Sequence, residues 1–233
     1  MLYTLPIRTF NVIFHTGRGT LYTILTPFNG RAEIDEDECK KSEEDKFRVF
    51  IYEDELRNIR EWVLEKDNIE TGGDLFGLWI DQHTAVVQLV LGPGKDCRRT
   101  KTSFYQDLDY LQQCGEAITE GHGLCNIGQW HSHHRLSLNK PSSGDEDTVW
   151  GNMPGLGLNR FIVFIATIEN TSTVNVNPFL FEIDSETKRR LPVQPGAVKY
   201  VKSCTSPLRS NKNILRKLKQ GAESMNSTSI DID

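Results

Sequence analysis

Residues 125–147 read CNIGQWHSHHRLSLNKPSSGDED, and the order of side chains here decides how the surrounding chain folds. CNIGQWH (125–131) reads as a strand. Successive side chains on a strand alternate faces, so His131 and His133 point one way and Ser132 the other. Asp145 to Met153 reads as a short helix, followed by the glycine-rich turn PGLGL. The next run, FIVFIATI (161–168), is almost wholly apolar, as expected of a central strand covered on both faces. Strand, loop, helix and buried strand together describe an α/β unit.

Working upstream, Leu56, Ile59 and Val63 recur at helical spacing with Tyr52 one turn earlier. Glu53, Asp54 and Glu55 sit where a helix N-terminus favours negative charge, which predicts a helix over 53–67. LFGLWI (75–80) and TAVVQLVL (84–91), joined by Asp81, Gln82 and His83, predict a hairpin that ends at Gly92-Pro93-Gly94. Leu108, Leu111, Cys114 and Ile118 mark a second helix closing near Gly121 and Gly123. Downstream, strand character returns at 174–183, with Pro178 predicting a bulge or an edge.

These readings place one domain at 47–200. Before it, residues 1–46 divide into an arm (1–32), broken by Gly17, Gly19, Pro27 and Gly30, and the charged linker EIDEDECKKSEEDK (33–46). After it, 201–233 is a basic segment ending in ESMNSTSIDID (223–233), expected to be a solvated tail or a docking site for a protein partner.

The 233 residues suit one domain with appendages, and the net charge of -5 gives no reason to expect nucleic acid as a partner. The five cysteines, Cys39, Cys97, Cys114, Cys125 and Cys204, are scattered and lack C-x-x-C spacing. That predicts reduced thiols rather than a disulfide framework or a thiolate metal site. Cys125 is expected in the core. No basic leader opens the chain and no apolar run approaches the ~20 residues of a membrane span. The expected address is cytoplasmic, with the nucleus left open.

Two imidazoles on one strand face and one carboxylate make a catalytic zinc set with a position left for water. Asp145 is the candidate carboxylate, but taken by itself Ser142-x-x-Asp145 reads first as a helix-capping pattern, and the two roles can coexist in part. Glu70, in IETGGDLFG (69–77), precedes two glycines where backbone can pass close to a ligand. Taken alone it is also an ordinary helix-end glutamate.

The ensemble resembles the JAB/MPN (JAMM) zinc metalloprotease family. ETGGDLFG (70–77), HSH (131–133) and SSGD (142–145) stand in the family's order, and the resemblance spans about residues 50–183. It implies an α/β fold, an MPN/JAB-like (cytidine-deaminase-like) mixed β-sheet flanked by helices. It implies Zn2+ held by His131, His133 and Asp145, with Glu70 as general base and Ser142 as donor to the oxyanion. It also implies cleavage of an amide or isopeptide bond after ubiquitin or a ubiquitin-like protein. GPGKDCRRTKTSF (92–104) resembles the corresponding loop of the prokaryotic-type JAB branch.

Two departures bear on the site. The stretch 134–141, between His133 and Ser142, is one residue longer than the family pattern, which puts the reach of Asp145 in question. Position 134 is histidine where proline is usual; it is expected to face away from His133 if the strand persists, while a strand end there leaves room for it to replace a ligand. Asp147 is the alternative acid, although two residues from Asp145 on a helix it faces elsewhere. The competing function is a catalytically inactive MPN scaffold. A nucleic-acid role for the basic region 188–219 has no reading motif behind it, and no residue declares itself as substrate-binding.

Overall fold

The hydrophobic runs pair into one sheet in the computed structural model, which describes residues 46–135, 138–170, 172–201 and 205–222. The expected N-terminal arm and linker, apart from Lys46, lie outside the described residues, as do the tail 223–233, Cys39 and Cys204. β1 (Arg48–Tyr52) runs directly into α1 (Glu53–Glu65), whose acidic first turn is Glu53, Asp54 and Glu55. β2 (Gly72–Trp79) and β3 (Thr84–Val90) form the expected hairpin. A two-stranded ribbon follows, β4 (Arg98–Arg99) with β5 (Phe104–Tyr105). α2 (Leu108–His122) is capped by the Asp107 side chain and closed by left-handed Gly123.

Next come β6 (Cys125–Ser132), α3 (Ser143–Asn152), β7 (Arg160–Ile168) and β8 (Val174–Glu182). The chain continues through β9 (Gln194–Pro195), β10 (Ala197–Val201), a 3-10 turn (Pro207–Ser210) and α4 (Lys212–Ala222). Among the described residues, the eight strands of the main sheet lie in the order β10-β1-β3-β2-β6-β7-β8-β9. β6 pairs parallel with β7 and antiparallel with β2, so the sheet is mixed.

Helices cover both faces. Leu56, Ile59 and Val63 of α1 pack on Val49, Ile51, Trp130 and Phe164. On the opposite face Val149 and Trp150 of α3 pack on Val163, Ile165 and Phe181. β7 therefore sends Phe164 to one helix layer and its neighbours Val163 and Ile165 to the other, which is why its sequence is apolar without alternation. α2 and α4 share a further cluster with Phe76, Leu89 and Leu91.

Several details depart from expectation. β2 starts at Gly72, not Leu75, because Gly72 and Gly73 pair with His131 and Trp130 of β6. A Cβ at Gly73 would lie 2.8 Å from Trp130 Nε1, which donates to Leu91 O at 2.9 Å. Pro178 makes no bulge, since β7 and β8 pair in unbroken register with Phe164 opposite Pro178. Its other side faces β9, which reaches only Phe179 and Leu180. Cys125 is exposed at the start of β6 rather than in the core.

The basic C-terminal segment is the largest departure. β10 pairs parallel with β1, and Leu208, Ile214 and Leu218 are buried, leaving Lys212, Arg216 and Lys219 exposed. Arg209 clamps this segment: its Nε and Nη2 donate to the two oxygens of fully buried Glu55 at 2.7 and 2.8 Å. No helix among the described residues is long and apolar enough to cross a membrane.

Candidate metal centre

β6 places the histidines. His131 is the register partner of Ile165, whose side chain lies in the α3 layer, and in-register neighbours share a face. His133 N donates to Ala166 O at 2.8 Å, continuing that alignment one residue beyond the strand. Both rings thus face the helix that carries the acid. Ser132 points to the other face, where its Oγ accepts from Thr71 N at 3.0 Å, while Ser132 N donates to Thr71 O at 2.7 Å. The residue between the histidines therefore anchors the one that follows Glu70.

α3 places the carboxylate. Ser142 is its N-cap and Asp145 its third residue, joined in a full capping box. Ser142 N and Ser142 Oγ both donate to Asp145 Oδ2 at 2.7 Å, and Asp145 N donates back to Ser142 Oγ at 3.2 Å. The cap orients the carboxylate toward the rings. Asp145 Oδ2 lies 3.2 Å from His133 Nε2, and Asp145 Oδ1 lies 3.3 Å from His131 Nε2. The two Nε2 atoms are 3.1 Å apart.

These separations test whether a metal fits. Ligands 2.0–2.1 Å from a tetrahedral zinc stand roughly 3.3–3.4 Å from one another, close to the three observed edges. The donor chemistry agrees. His133 Nδ1 lies 2.8 Å from Leu138 O, and a carbonyl only accepts, so Nδ1 carries the hydrogen and Nε2 offers its lone pair. Two nitrogens and a carboxylate converging within 4.8 Å repel one another unless a cation or a proton lies between them. The residues present fit a divalent ion.

The electrostatics follow from the same contacts. Burial alone would raise the Asp145 pKa, yet its bonds with His131, His133 and Ser142 hold it far below the ordinary carboxylate range. Burial would lower that of His133, but the Asp145 bond, the Leu138 carbonyl and the charges of Asp145 and Glu70 together outweigh it and the net shift is upward. Glu70 is 8% exposed and lies in the field of this group. Burial raises its pKa, and the pull of His131 and His133 does not cancel that rise. Its backbone N–H is held by Thr100 O at 2.8 Å.

The structure thus brings His131, His133, Asp145 and Ser142 together, with Glu70 beside them. Asp147 is exposed and outside the group. His134 is not a ligand: its Nε2 donates to Lys101 O at 2.8 Å. The additional loop residue does not carry Asp145 out of reach, because the chain turns at His134 and Arg135 and Leu138 comes back to His133. Arg135 is tied to Asp67 at 2.6 Å. Sequence reasoning missed Ser132 as an anchor and Leu138 O as a partner of His133. The first was visible in strand alternation; a backbone carbonyl leaves no mark in side-chain types.

No family model matches the chain. The curated protein "Probable metalloprotease y4qB" of Sinorhizobium fredii (strain NBRC 101917 / NGR234) is 29% identical over 97 residues, which is 41% of this chain. The match spans 57% of that protein, little more than half its length. Among solved structures, the solution structure of protein DSY2949 from Desulfitobacterium hafniense superposes with a TM-score of 0.48 at 15% identity. It covers 65% of this chain and 92% of its own.

Proposed function

We propose that the chain is a zinc metallopeptidase of the JAMM type on an MPN/JAB fold, which removes or processes ubiquitin or a ubiquitin-like protein. The observation that carries the reading is the triangle of His131 Nε2, His133 Nε2 and Asp145 carboxylate, with edges of 3.1, 3.2 and 3.3 Å, beside a buried glutamate. The partial match to a protein called a probable metalloprotease supports the broader class. The ubiquitin-like substrate rests on the resemblance of the motifs alone.

Zn2+ held by His131, His133 and Asp145 would supply Lewis acidity to the scissile carbonyl and acidify an attacking water. The chain's own groups do the rest. A Glu70 carboxylate oxygen takes the proton of the attacking water and returns it to the departing amine nitrogen. Its upward-shifted pKa suits the removal of that proton from water, because a weaker carboxylic acid has a stronger conjugate base. Ser142 donates its hydroxyl hydrogen to the oxyanion by turning from Asp145 Oδ2, which keeps the Ser142 N–H.

Metal analysis and hydrolysis of wild type and Glu70→Gln test this together. Both proteins are expected to hold stoichiometric zinc, with only wild type cleaving a fluorogenic ubiquitin C-terminal amide or a panel of ubiquitin-like fusions. The expected loss in Glu70→Gln is about 10²- to 10⁴-fold. Undiminished cleavage by Glu70→Gln would remove it as the base. Zinc-loaded wild type that cuts none of these probes would overturn the substrate class, and intact protein without zinc would leave a non-catalytic scaffold.

A further inference from the structure

β6 ends at Ser132, and the chain then turns through His134, whose φ of 34° lies in the left-handed region that non-glycine residues seldom adopt. The side chain is buried, 7% exposed, and donates from Nε2 to Lys101 O at 2.8 Å. The carbonyl one residue earlier, Thr100 O, accepts from Glu70 N at 2.8 Å. Two successive carbonyls of the turn between β4 and β5 are therefore held. One is gripped by the backbone of the proposed base, the other by the side chain next to a proposed ligand.

The turn behaves as a unit. Thr100 N donates to Ser103 O at 2.9 Å, and Thr102 N donates to Thr100 Oγ1 at 3.2 Å. Phe104, just after it, packs so tightly on Gly72 that a Cβ there would lie 2.5 Å from its ring. A shift of this turn moves the backbone of Glu70 and the start of β2 with it. The triangle of possible metal ligands forms without His134.

We propose that His134 is a positioning residue: its bond to Lys101 O holds the 100–103 turn against the Glu70 segment and so sets where the Glu70 carboxylate stands. The assignment rests on the proposed hydrolase reading for its effect on rate. The mechanical link itself does not depend on that reading.

The test compares full-length wild type with His134→Gly and His134→Gln. Glycine takes a positive φ without steric cost, so the first variant removes the donor while sparing the backbone. Glutamine returns an N–H donor. Expected for His134→Gly are unchanged zinc content, about tenfold faster hydrogen exchange of the Glu70 amide, and a new tryptic cut after Lys101. Its kcat on the fluorogenic ubiquitin amide is expected to fall about 10- to 100-fold with KM little changed. His134→Gln is expected to restore exchange, trypsin resistance and kcat together. Unaltered exchange at Glu70 in His134→Gly would overturn the proposal, as would faster exchange with unaltered kcat, or loss of zinc. Should wild type hydrolyse nothing, the hydrolase reading fails by itself, and exchange and proteolysis still decide whether His134 holds Glu70.

Discussion

Ser142 and Asp145 show how one short pattern serves two purposes. As a capping box they satisfy the first amides of α3, and the same bonds aim the carboxylate at two imidazoles. Removing the hydroxyl should therefore have two separable effects. Ser142→Ala is expected to lower stability by about 1 kcal/mol, as loss of an N-cap does, measured by urea unfolding of the metal-free chain. It is also expected to weaken zinc binding about 10- to 100-fold, because the carboxylate proposed as ligand loses a supporting bond, measured by chelator competition. At this scale the sequence was readable wherever a side chain's direction follows from strand or helix period. His131, His133 and Asp145 are such cases. His134 was not, because the end of β6 and its positive φ depend on contacts with residues some thirty positions away.

Among elements, local periodicity announced α1 and α2 close to their observed limits and the β2–β3 hairpin except for the glycine start of β2. The C-terminal segment was misread because its basic composition hides Ile214 and Leu218, a helical repeat of only two buried positions. What holds that segment is not local. Burial would lower the Arg209 pKa, but the hydrogen bonds and charge of Glu55, with Tyr110 and Asp54, together outweigh burial and keep it charged. Arg209 also donates to Val90 O at 2.9 Å, and Val90 N donates to Glu55 at 2.8 Å, so the pair is stitched into β3. Arg209→Ala leaves Glu55 buried and unpaired. The expected cost is about 3–5 kcal/mol, read as a lower urea midpoint. A change below about 1 kcal/mol would show that the clamp carries little stability.

For the molecule as a whole, the mixed α/β class was legible because apolar runs and helical repeats alternate along the chain. The strand order was not, since β10 beside β1 and β6 between β2 and β7 are pairings between distant segments. Assembly of this sheet also buries Asp74 in β2, pushing its carboxyl up to about 6 despite a hydrogen bond from Asn126. A folded-state pKa above the ordinary 3.8 means that the native state binds the proton more tightly than the unfolded chain. The Asp74 contribution is therefore most favourable below about pH 4, declines as pH rises to about 6, and is flat above. The span is about 3 kcal/mol. Asp145, shifted the other way, loses its contribution only as pH falls below the ordinary carboxylate range. Asp74→Asn keeps an acceptor for Asn126, so the stability difference between variant and wild type should move in the variant's favour by about that amount between pH 4 and 7. A difference independent of pH would mean that Asp74 does not carry the effect.

The metal triangle underlies the functional reading at every scale, and X-ray absorption at the zinc edge of the full chain examines it most directly. The predicted spectrum has nitrogen and oxygen neighbours at about 2.0–2.1 Å, two of them imidazoles, and no sulfur. In Asp145→Ala the zinc signal should be lost or the shell altered. A thiolate shell near about 2.3 Å, or a zinc environment unchanged by Asp145→Ala, would contradict the account.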